Sequence, residues 1–300
     1  MSHSFDSDGL WIKSKLFINR ALDEGREFEE RAFWACSALE LLGKCALARV
    51  SPLLIANPMD DGKSLLVAAG LAQGSATSVQ AKAVWSRCQR VFKPFSESEA
   101  KLLAHGRNEY IHAAGVGFDA IPEHAWWPSF WSQAVILLHH IGKSIEDYVD
   151  ARYLEVVNGA LATRQETLRQ QFEARIERAR TMLSQAESET LSPRQLRERE
   201  LWSFYATRYN SDVECPACAD VATLYGDEVV NRDVTYETID DWGEVDVQVT
   251  LWIEPRALFC DHCRLELNDY DLLVEAKLAE AFEVEGTADD IEYEVEYNNE

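Results

Sequence analysis

Two cysteine pairs, Cys215-Pro-Ala-Cys218 and, 41 residues later, Cys260-Asp-His-Cys263, decide the fold of the last third of the chain. Each Cys-x-x-Cys turn lets two thiolates point at one ion. A β-hairpin that brings two such turns together completes a tetrahedral shell of four sulfur ligands, which leaves no position for water. The gap exceeds that of the tightest metal-binding patterns, and a long hairpin accommodates it. Cys215, Cys218, Cys260 and Cys263 therefore predict one structural zinc ion per chain.

The remaining cysteine chemistry allows few alternatives. His262 lies between two of the ligands and is a second choice, because a residue at this place in a Cys-x-x-Cys turn usually points outward. A redox role needs a thioredoxin-type context, which is absent. Cys36, Cys45 and Cys88 stand singly in segments of helical pattern, so we expect small core residues there. An odd count of seven also argues against a disulfide framework.

Residues 209–278 resemble zinc-ribbon modules, because strand-like runs lie between the two cysteine turns. One run, Asp246-Val-Gln-Val-Thr-Leu-Trp-Ile253, alternates with period two. Many zinc ribbons bind nucleic acid, but residues 209–300 hold 26 Asp and Glu against 4 Lys and Arg. This charge repels a phosphate backbone. We expect this acidic module (209–300) either to bind a protein, such as an antitoxin or another regulatory partner, or to occupy the chain's own basic cleft.

The final residues of the acidic module show their own pattern. From Asp289 onward, apolar side chains alternate with glutamates: Ile291, Tyr293, Val295 and Tyr297. The pattern fits an added β-strand or a peptide that mimics nucleic acid, and a solvated, disordered terminus fits it equally well.

The composition is that of an ordinary globular protein, with 300 residues, 47% hydrophobic and 27% charged, long enough for two domains. The formal charge of −23 is distributed as −3 over 1–150, +2 over 151–208 and −22 over 209–300. No stretch reaches the roughly 18 apolar residues of a membrane span. The N-terminus lacks the basic and apolar segments of a secretion signal. We expect a cytoplasmic protein with no membrane contact.

Helical patterns fill the first half of the chain. Apolar residues recur at helical spacing over 10–49, and Gly25 divides that segment into two helices. Short helices are predicted near 63–72 and 77–92. Ser96, with Glu99 three residues later, gives a capping-box pattern that opens a helix from about 97 to 114. The run Trp126-Trp127-Pro128 leads into a further long helix.

The Arg- and Glu-rich stretch over 151–208 carries a thin apolar stripe at helical spacing: Leu161, Leu168, Phe172, Ile176, Ala179 and Leu183. Such a stripe suits a connector or a partner seam, and it is too thin for a core of its own. Ser192 is expected to cap one more helix, to about Tyr209.

The predicted fold class is mainly α: an N-terminal antiparallel helical bundle (1–150), a helical connector (151–208) and a small C-terminal β-rich zinc ribbon (209–300).

The helix after Ser96 contains the run Arg107-Asn-Glu-Tyr-Ile-His112. Asn108 and His112 are four residues apart and share a helix face, with Arg107 at its side. An arginine holds a phosphate in bidentate fashion, and a histidine has a pKa suited to proton transfer near neutral pH. The set is able to act on a phosphodiester. Polar residues on a solvated helix, with a capping histidine, are the alternative.

This run matches the Arg-x4-His motif of HEPN domains, and residues 10–150 resemble those domains in layout. An early helix with Ala38-Leu-Glu40-Leu-Leu-Gly-Lys44, several helices, the motif near a helix end and a long following helix all occur. The resemblance implies a helical bundle that forms a homodimer, with two motifs facing one cleft. It also implies a metal-independent endoribonuclease acting on RNA in a toxin–antitoxin or antiviral defence system.

By the resemblance, Arg107, Asn108 and His112 are the catalytic residues. Arg107 would stabilise the phosphorane charge, and His112 would transfer a proton at the 2′-hydroxyl or the leaving oxygen. Asn108 would orient the histidine or the phosphate. Glu40 matches an acidic position often present on an early helix of the family, where structural support is an equal role. Some family members are inactive, so a catalytically silent HEPN-like scaffold is the alternative function.

Two further interpretations of the helical segment compete with these. His105, Glu109 and His112 lie at i, i+4 and i+7 and suggest a metal site. Helical di-iron sites need a second Glu-x-x-His and two more carboxylates, and the bundle has no second motif. The aromatic cluster over 126–131 is able to stack bases, but large aromatic side chains between helices more often form a core.

Overall fold

The computed structural model describes residues 5–112, 117–118, 121–200, 207–238, 245–287 and 290. The chain forms two compact units, Met1–Gln165 (unit 1) and Glu166–Glu300 (unit 2). It is mainly helical with antiparallel sheet in its C-terminal part, as the sequence predicts at this coarse level. None of the helices within the described residues is long and apolar enough to span a membrane.

Unit 1 consists of helices and two short 3-10 turns. The helices are α1 (Ser7–Ala21), α2 (Phe28–Val50), α3 (Lys63–Ala68), α4 (Ala81–Val91), α5 (Glu97–His112), α6 (Glu123–His140), α7 (Ile145–Tyr148) and the start of α8 (Leu154–Glu187); the turns are Pro52–Ile55 and Ala151–Tyr153. Helix α2 is central, because α1, α4, α5 and α6 all pack against it. Its C-terminal half is therefore buried almost all round, including every residue from Leu42 to Ala48.

The start of α5 differs in detail from the predicted capping box. The backbone N–H of Glu99 donates to Oγ of Ser96 at 3.2 Å, which is the expected first half of the box. The second half is made by another side chain, because Oε1 of Gln133 accepts from the backbone N–H of Ser96 at 2.8 Å. Glu99 instead accepts from Nε2 of Gln133 at 2.5 Å. The amide of Gln133, from α6, thus joins the start of α5 to the bundle core.

Helix α6 begins earlier than the sequence suggests. It starts at Glu123, and Pro128 lies inside it rather than ahead of it. Trp126, Trp127, Phe130 and Trp131 are all buried. The aromatic cluster is therefore core, and base stacking on it is excluded.

Unit 2 consists of the remainder of α8, two short helices and seven strands. The helices are α9 (Pro193–Glu200) and α10 (Tyr270–Glu275); the strands are β1 (Tyr209–Glu214), β2 (Val221–Gly226), β3 (Glu228–Thr238), β4 (Val245–Glu254), β5 (Ala257–Phe259), β6 (Glu266–Leu267) and β7 (Phe282–Glu285). One sheet has the order β1-β2-β5-β6 and the other β3-β4-β7, and all pairs are antiparallel. The long gap between the cysteine pairs thus contains the β3–β4 hairpin flanked by β2 and β5.

The apolar stripe of α8 enters the core of unit 2. Ile176 and Ala179 are buried in the cluster that also contains Cys215, Cys260 and Cys263. Nε of Arg180 donates to the main-chain oxygen of Ala217 at 2.9 Å. The apolar stripe thus packs against the strands of unit 2. The helix therefore shares the core of the sheet and does not form a separate core.

The predicted helix after Ser192 has a capping box made by a glutamine. The backbone N–H of Gln195 donates to Oγ of Ser192 at 3.3 Å, and Oε1 of Gln195 accepts from the backbone N–H of Ser192 at 2.9 Å. The helix is described as far as Glu200.

Of the alternating tail from Asp289, only Asp290 is described, and the other residues lie outside the described part of the chain. The Asp290 carboxylate accepts a hydrogen bond from Arg208 at 2.6 Å.

Candidate functional sites

The four cysteines predicted to bind zinc converge on one point. Their sulfur atoms all lie within 4.8 Å of one another. The Cys215–Cys263 and Cys218–Cys260 sulfur pairs are each 3.6 Å apart. Four ligands at about 2.3 Å from a tetrahedral ion stand roughly 3.8 Å from each other. The cluster therefore fits one metal ion, and it is the one such cluster of His, Cys, Asp or Glu within the described residues.

The sheet explains why the two distant turns meet. The first cysteine turn joins β1 to β2, and the second joins β5 to β6. Strands β2 and β5 pair antiparallel through Leu224 and Leu258. Because β2 begins at its turn and β5 ends at its turn, both turns lie at the same end of the sheet.

The two turns repeat the same backbone geometry. The N–H of Ala219 donates to the oxygen of Cys215 at 2.9 Å, and the N–H of Arg264 donates to the oxygen of Cys260 at 2.9 Å. Both donors have a left-handed backbone, with φ of 60° at Ala219 and 62° at Arg264. Glycine adopts this conformation with least strain, so both turns accept a strained residue at the same position.

Hydrogen bonds couple the ionisation of three of the four cysteines. Hydrogen bonds from the thiols of Cys260 and Cys263 lower the pKa of Cys215. The same contacts with Cys215 raise the pKa of Cys260 and of Cys263, and burial raises both further. One thiolate thus opposes the ionisation of its neighbours, since several negative sulfurs at this distance repel. A divalent cation removes that opposition, because metal ligands bind as thiolates.

His262 is engaged elsewhere. Its Nδ1 lies 2.9 Å from Oδ2 of Asp220, and its side chain is half exposed. The four thiols alone form the cluster, in keeping with the preference for Cys over His262.

The second candidate site surrounds Arg107 on α5. Nη1 of Arg107 lies 2.6 Å from Oε2 of Glu40, which comes from α2. The other oxygen, Oε1, lies 2.8 Å from Nζ of Lys44, one turn further along α2. The side chains of Arg107 and Glu40 are 24% and 15% exposed, so Arg107 has the more open position. One carboxylate thus holds two cations, and the group keeps one positive charge.

Burial and charge act oppositely on Glu40. Burial alone would raise its pKa, but the charges of Lys44 and Arg107 and their hydrogen bonds outweigh burial and lower the pKa below 4.5. Glu40 is therefore ionised at neutral pH. Lys44 also donates to Oγ of Ser78 at 3.0 Å, which gives the ammonium group a second partner outside α2.

The backbone next to Arg107 is closely packed. A Cβ atom on Gly106 would lie 2.3 Å from the backbone nitrogen of Phe118 and 2.6 Å from its ring. Phe118 is buried and packs edge-on against Trp126. Only glycine therefore allows the segment 117–118 to pass over α5 at this point, and this contact fixes the helix one residue before Arg107.

Of the other residues of α5 that were predicted to form a site, the structure describes some side chains and not others. Asn108 and His112 belong to the helix, but their side chains lie outside the described part of the chain. His105 and Glu109, named for the alternative metal site, are both exposed. Within the described residues they join no potential metal cluster.

Comparison with models of known protein families, with curated proteins and with solved structures gives no match. A functional assignment therefore depends on the chemistry of the chain's own residues.

Sequence reasoning missed two members of the Arg107 site. Lys44 lies four residues after Glu40, a spacing that favours an ion pair on a helix, so its pairing was accessible to sequence analysis. Ser78 lies in a loop 34 residues from Lys44 and gives no local signal.

Proposed function

We propose that the chain is a metal-independent endoribonuclease of the HEPN type that acts as a homodimer, with Arg107, Asn108 and His112 as its catalytic residues. The observation that carries the proposal is the Glu40–Arg107 pair. It fixes a permanent cation on the helix that contains the Arg-x4-His motif, at a partly exposed position in a helical unit. A toxin–antitoxin or antiviral defence system is the setting that the motif implies.

The charge of the Glu40 group supports phosphate binding. Arginine has five N–H donors, and Nη1 of Arg107 serves Glu40. The rest of the guanidinium has no partner within the described residues, so it is able to bind a phosphate. Lys44 is buried, whereas Arg107 is partly open. The surplus positive charge of the group is therefore accessible to solvent at Arg107.

The proposed chemistry is an internal transesterification of RNA. The 2′-hydroxyl loses its proton, a bond forms between O2′ and phosphorus, and the bond between phosphorus and O5′ breaks. The leaving oxygen takes up a proton. His112 transfers a proton at one of these two oxygens, and Arg107 stabilises the added charge on the non-bridging oxygens. The products are a 2′,3′-cyclic phosphate and a 5′-hydroxyl.

The same pair also favours a second candidate function, a catalytically silent HEPN-like scaffold. An arginine that bridges α5 to α2 through Glu40 is able to serve the bundle alone. In that case Arg107 of the motif only stabilises the packing of the helices. The acidic module then provides the binding surface for a protein partner.

For the four-cysteine cluster we propose zinc as the metal, with a structural role. Four thiolates in a tetrahedral arrangement suit zinc, and a closed shell leaves no position for substrate. The ion would hold the two turns together at the end of the β2–β5 pair. The acidic module that surrounds it would bind an antitoxin or another regulatory protein.

A cleavage assay separates the two candidate functions. Wild-type protein is compared with His112→Ala and with His139→Ala, a control that removes an exposed histidine of α6. The enzyme proposal expects RNA cleavage by the wild type and the control, and loss of about 100-fold or more with His112→Ala. Absence of cleavage by a folded, dimeric wild type favours the scaffold, and equal cleavage by all three proteins refutes the proposed role of His112.

A further inference from the structure

Unit 2 contains a cavity lined by arginines. Its volume is about 390 Å³, and Arg175, Arg178, Arg199 and Arg264 line it. The first two come from α8, Arg199 comes from α9 and Arg264 follows the second cysteine turn. Three separate elements thus bring guanidinium groups to one concave site.

This concentration of positive charge contrasts with the rest of the unit. Residues 166–300 hold 12 Lys and Arg against 33 Asp and Glu, so a third of the cations lie at one cavity. Glu266 is the one acidic residue among the described residues of the lining. With Glu266 in the lining and Asp261 paired with Arg264, the four arginines keep a formal surplus of two positive charges. Guanidinium groups that line one cavity repel each other, so the cluster of arginines is more stable when an anion is bound.

Neutral groups hold two of the guanidiniums in place. Nη1 of Arg175 donates to the main-chain oxygen of Glu266 at 3.0 Å and to Oδ1 of Asn268 at 3.2 Å. Nη2 of Arg199 donates to the main-chain oxygen of His262 at 3.1 Å. Carbonyl oxygens orient a guanidinium without cancelling its charge. Nη1 of Arg199 is buried and has no hydrogen-bond partner within the described residues.

Arg264 occupies a position that glycine would fill with less strain. Its φ is 62°, like that of Ala219 in the first turn. Its side chain is 17% exposed, and Nη1 lies 2.6 Å from Oδ1 of Asp261. The second turn thus carries a charged, largely buried side chain where the first turn carries only a methyl group. This difference between the two turns is what directs a cation into the cavity.

We infer that this cavity binds a small anion with two or more phosphate groups. Planar guanidiniums match phosphate oxygens in bidentate fashion, and the surplus of two charges suits an ion that carries several. The volume lies at the lower end of the range for small-molecule sites. The other described lining residues are Ala179, Met182, Leu265 and Asn268, so among the residues that the structure describes there is no aromatic ring in the lining on which a base would stack. Recognition therefore depends on the phosphates.

Calorimetric titration of the full-length protein with inorganic pyrophosphate tests this inference. The pocket variants are Arg199→Gln and Arg178→Gln. The matched controls are Arg197→Gln on α9 and Arg169→Gln on α8, which remove the same charge from exposed residues of the same helices. Metal content and circular dichroism verify that each variant is folded. Two pocket variants are used so that misfolding of one leaves the other informative.

The inference predicts that pyrophosphate binds more tightly than orthophosphate. Each pocket variant should weaken binding about tenfold, while the controls bind as the wild type does. Absence of binding to the wild type, or equal weakening by pocket and control variants, would overturn it. A 5′-hydroxyl RNA oligonucleotide, which has only phosphodiesters, should fail to displace pyrophosphate. Displacement by this RNA would assign the cavity to a nucleic-acid backbone and contradict the proposed ligand.

Discussion

Glu40 on α2 and Arg107 on α5 form an ion pair, with Oε2 of Glu40 2.6 Å from Nη1 of Arg107. The residues are 67 positions apart, so the pair joins two helices of the bundle. Lys44 shares the same carboxylate. The pair therefore supports the fold and fixes the direction of the arginine that we propose as catalytic.

Glu40→Gln should lower the free energy of unfolding by about 2 kcal/mol at pH 7, because two cations lose their carboxylate. The folded-state pKa of Glu40 is below its ordinary value of 4.5, so its stabilising contribution is present above pH 4.5 and is lost as the pH falls through the folded pKa. Urea unfolding across pH 3–7 should show the variant converging on the wild type below pH 4.5. Glu109→Gln, at an exposed carboxylate of α5, is the control. A stability difference independent of pH would contradict this account.

Gly106→Ala should destabilise unit 1 by about 2 kcal/mol or more, because the new methyl group would overlap the backbone of Phe118. Gly159→Ala is the matched control in α8, where an added Cβ has no atom within 4 Å. That change should stabilise the helix by about 0.5–1 kcal/mol. Thermal unfolding measures both. Equal effects of the two substitutions would show that segment 117–118 does not pack on Gly106.

Purified protein should contain about one zinc ion per chain, measured by elemental analysis after purification without chelators. Cys260→Ser should lose the ion and loosen unit 2, while the helical signal of unit 1 persists. Metal affinity should fall as the pH falls, because protons compete for the thiolates. Cys88→Ser, which changes a buried cysteine of unit 1, should retain the ion. Metal-free wild-type protein would refute the four-thiolate site.

Residues 1–165 should fold alone, because the hydrophobic core of unit 1, within the part of the chain that the structure describes, is built from residues 5–161. This fragment holds 17 Lys and Arg against 19 Asp and Glu, so it lacks most of the negative charge of the chain. The fragment should bind RNA more tightly than the full chain does. The dependence of this affinity on the salt concentration should also differ from that of the full chain. Filter binding with Arg107→Ala as control measures this. A folded fragment with unchanged affinity and salt response would show that the acidic module serves external partners only.

Local patterns were sufficient to predict much of this fold. The Cys-x-x-Cys pairs identified four residues whose sulfurs converge, because each turn is short and encodes its own geometry. Ser96 marked the start of α5, and Cys36, Cys45 and Cys88 are buried as expected. These features depend on residues within a few positions of each other.

Features that depend on tertiary contacts were not predictable in this way. Gln133 completes the cap of Ser96 from 37 residues away, and Ser78 reaches Lys44 from a loop. The arginine cavity escaped prediction because its members lie on three elements that sequence spacing does not connect. Only the fold shows that these side chains are neighbours.

The end groups of RNA fragments distinguish the proposed transesterification from other cleavage chemistry, when the wild-type protein produces the fragments in EDTA over a time too short for loss of structural metal. We expect cleavage of RNA but not DNA, with 2′,3′-cyclic phosphate and 5′-hydroxyl ends, and loss of this cleavage in Arg107→Ala. Fragments with 5′-phosphate ends, equal cleavage of DNA, or full activity of Arg107→Ala would contradict this expectation.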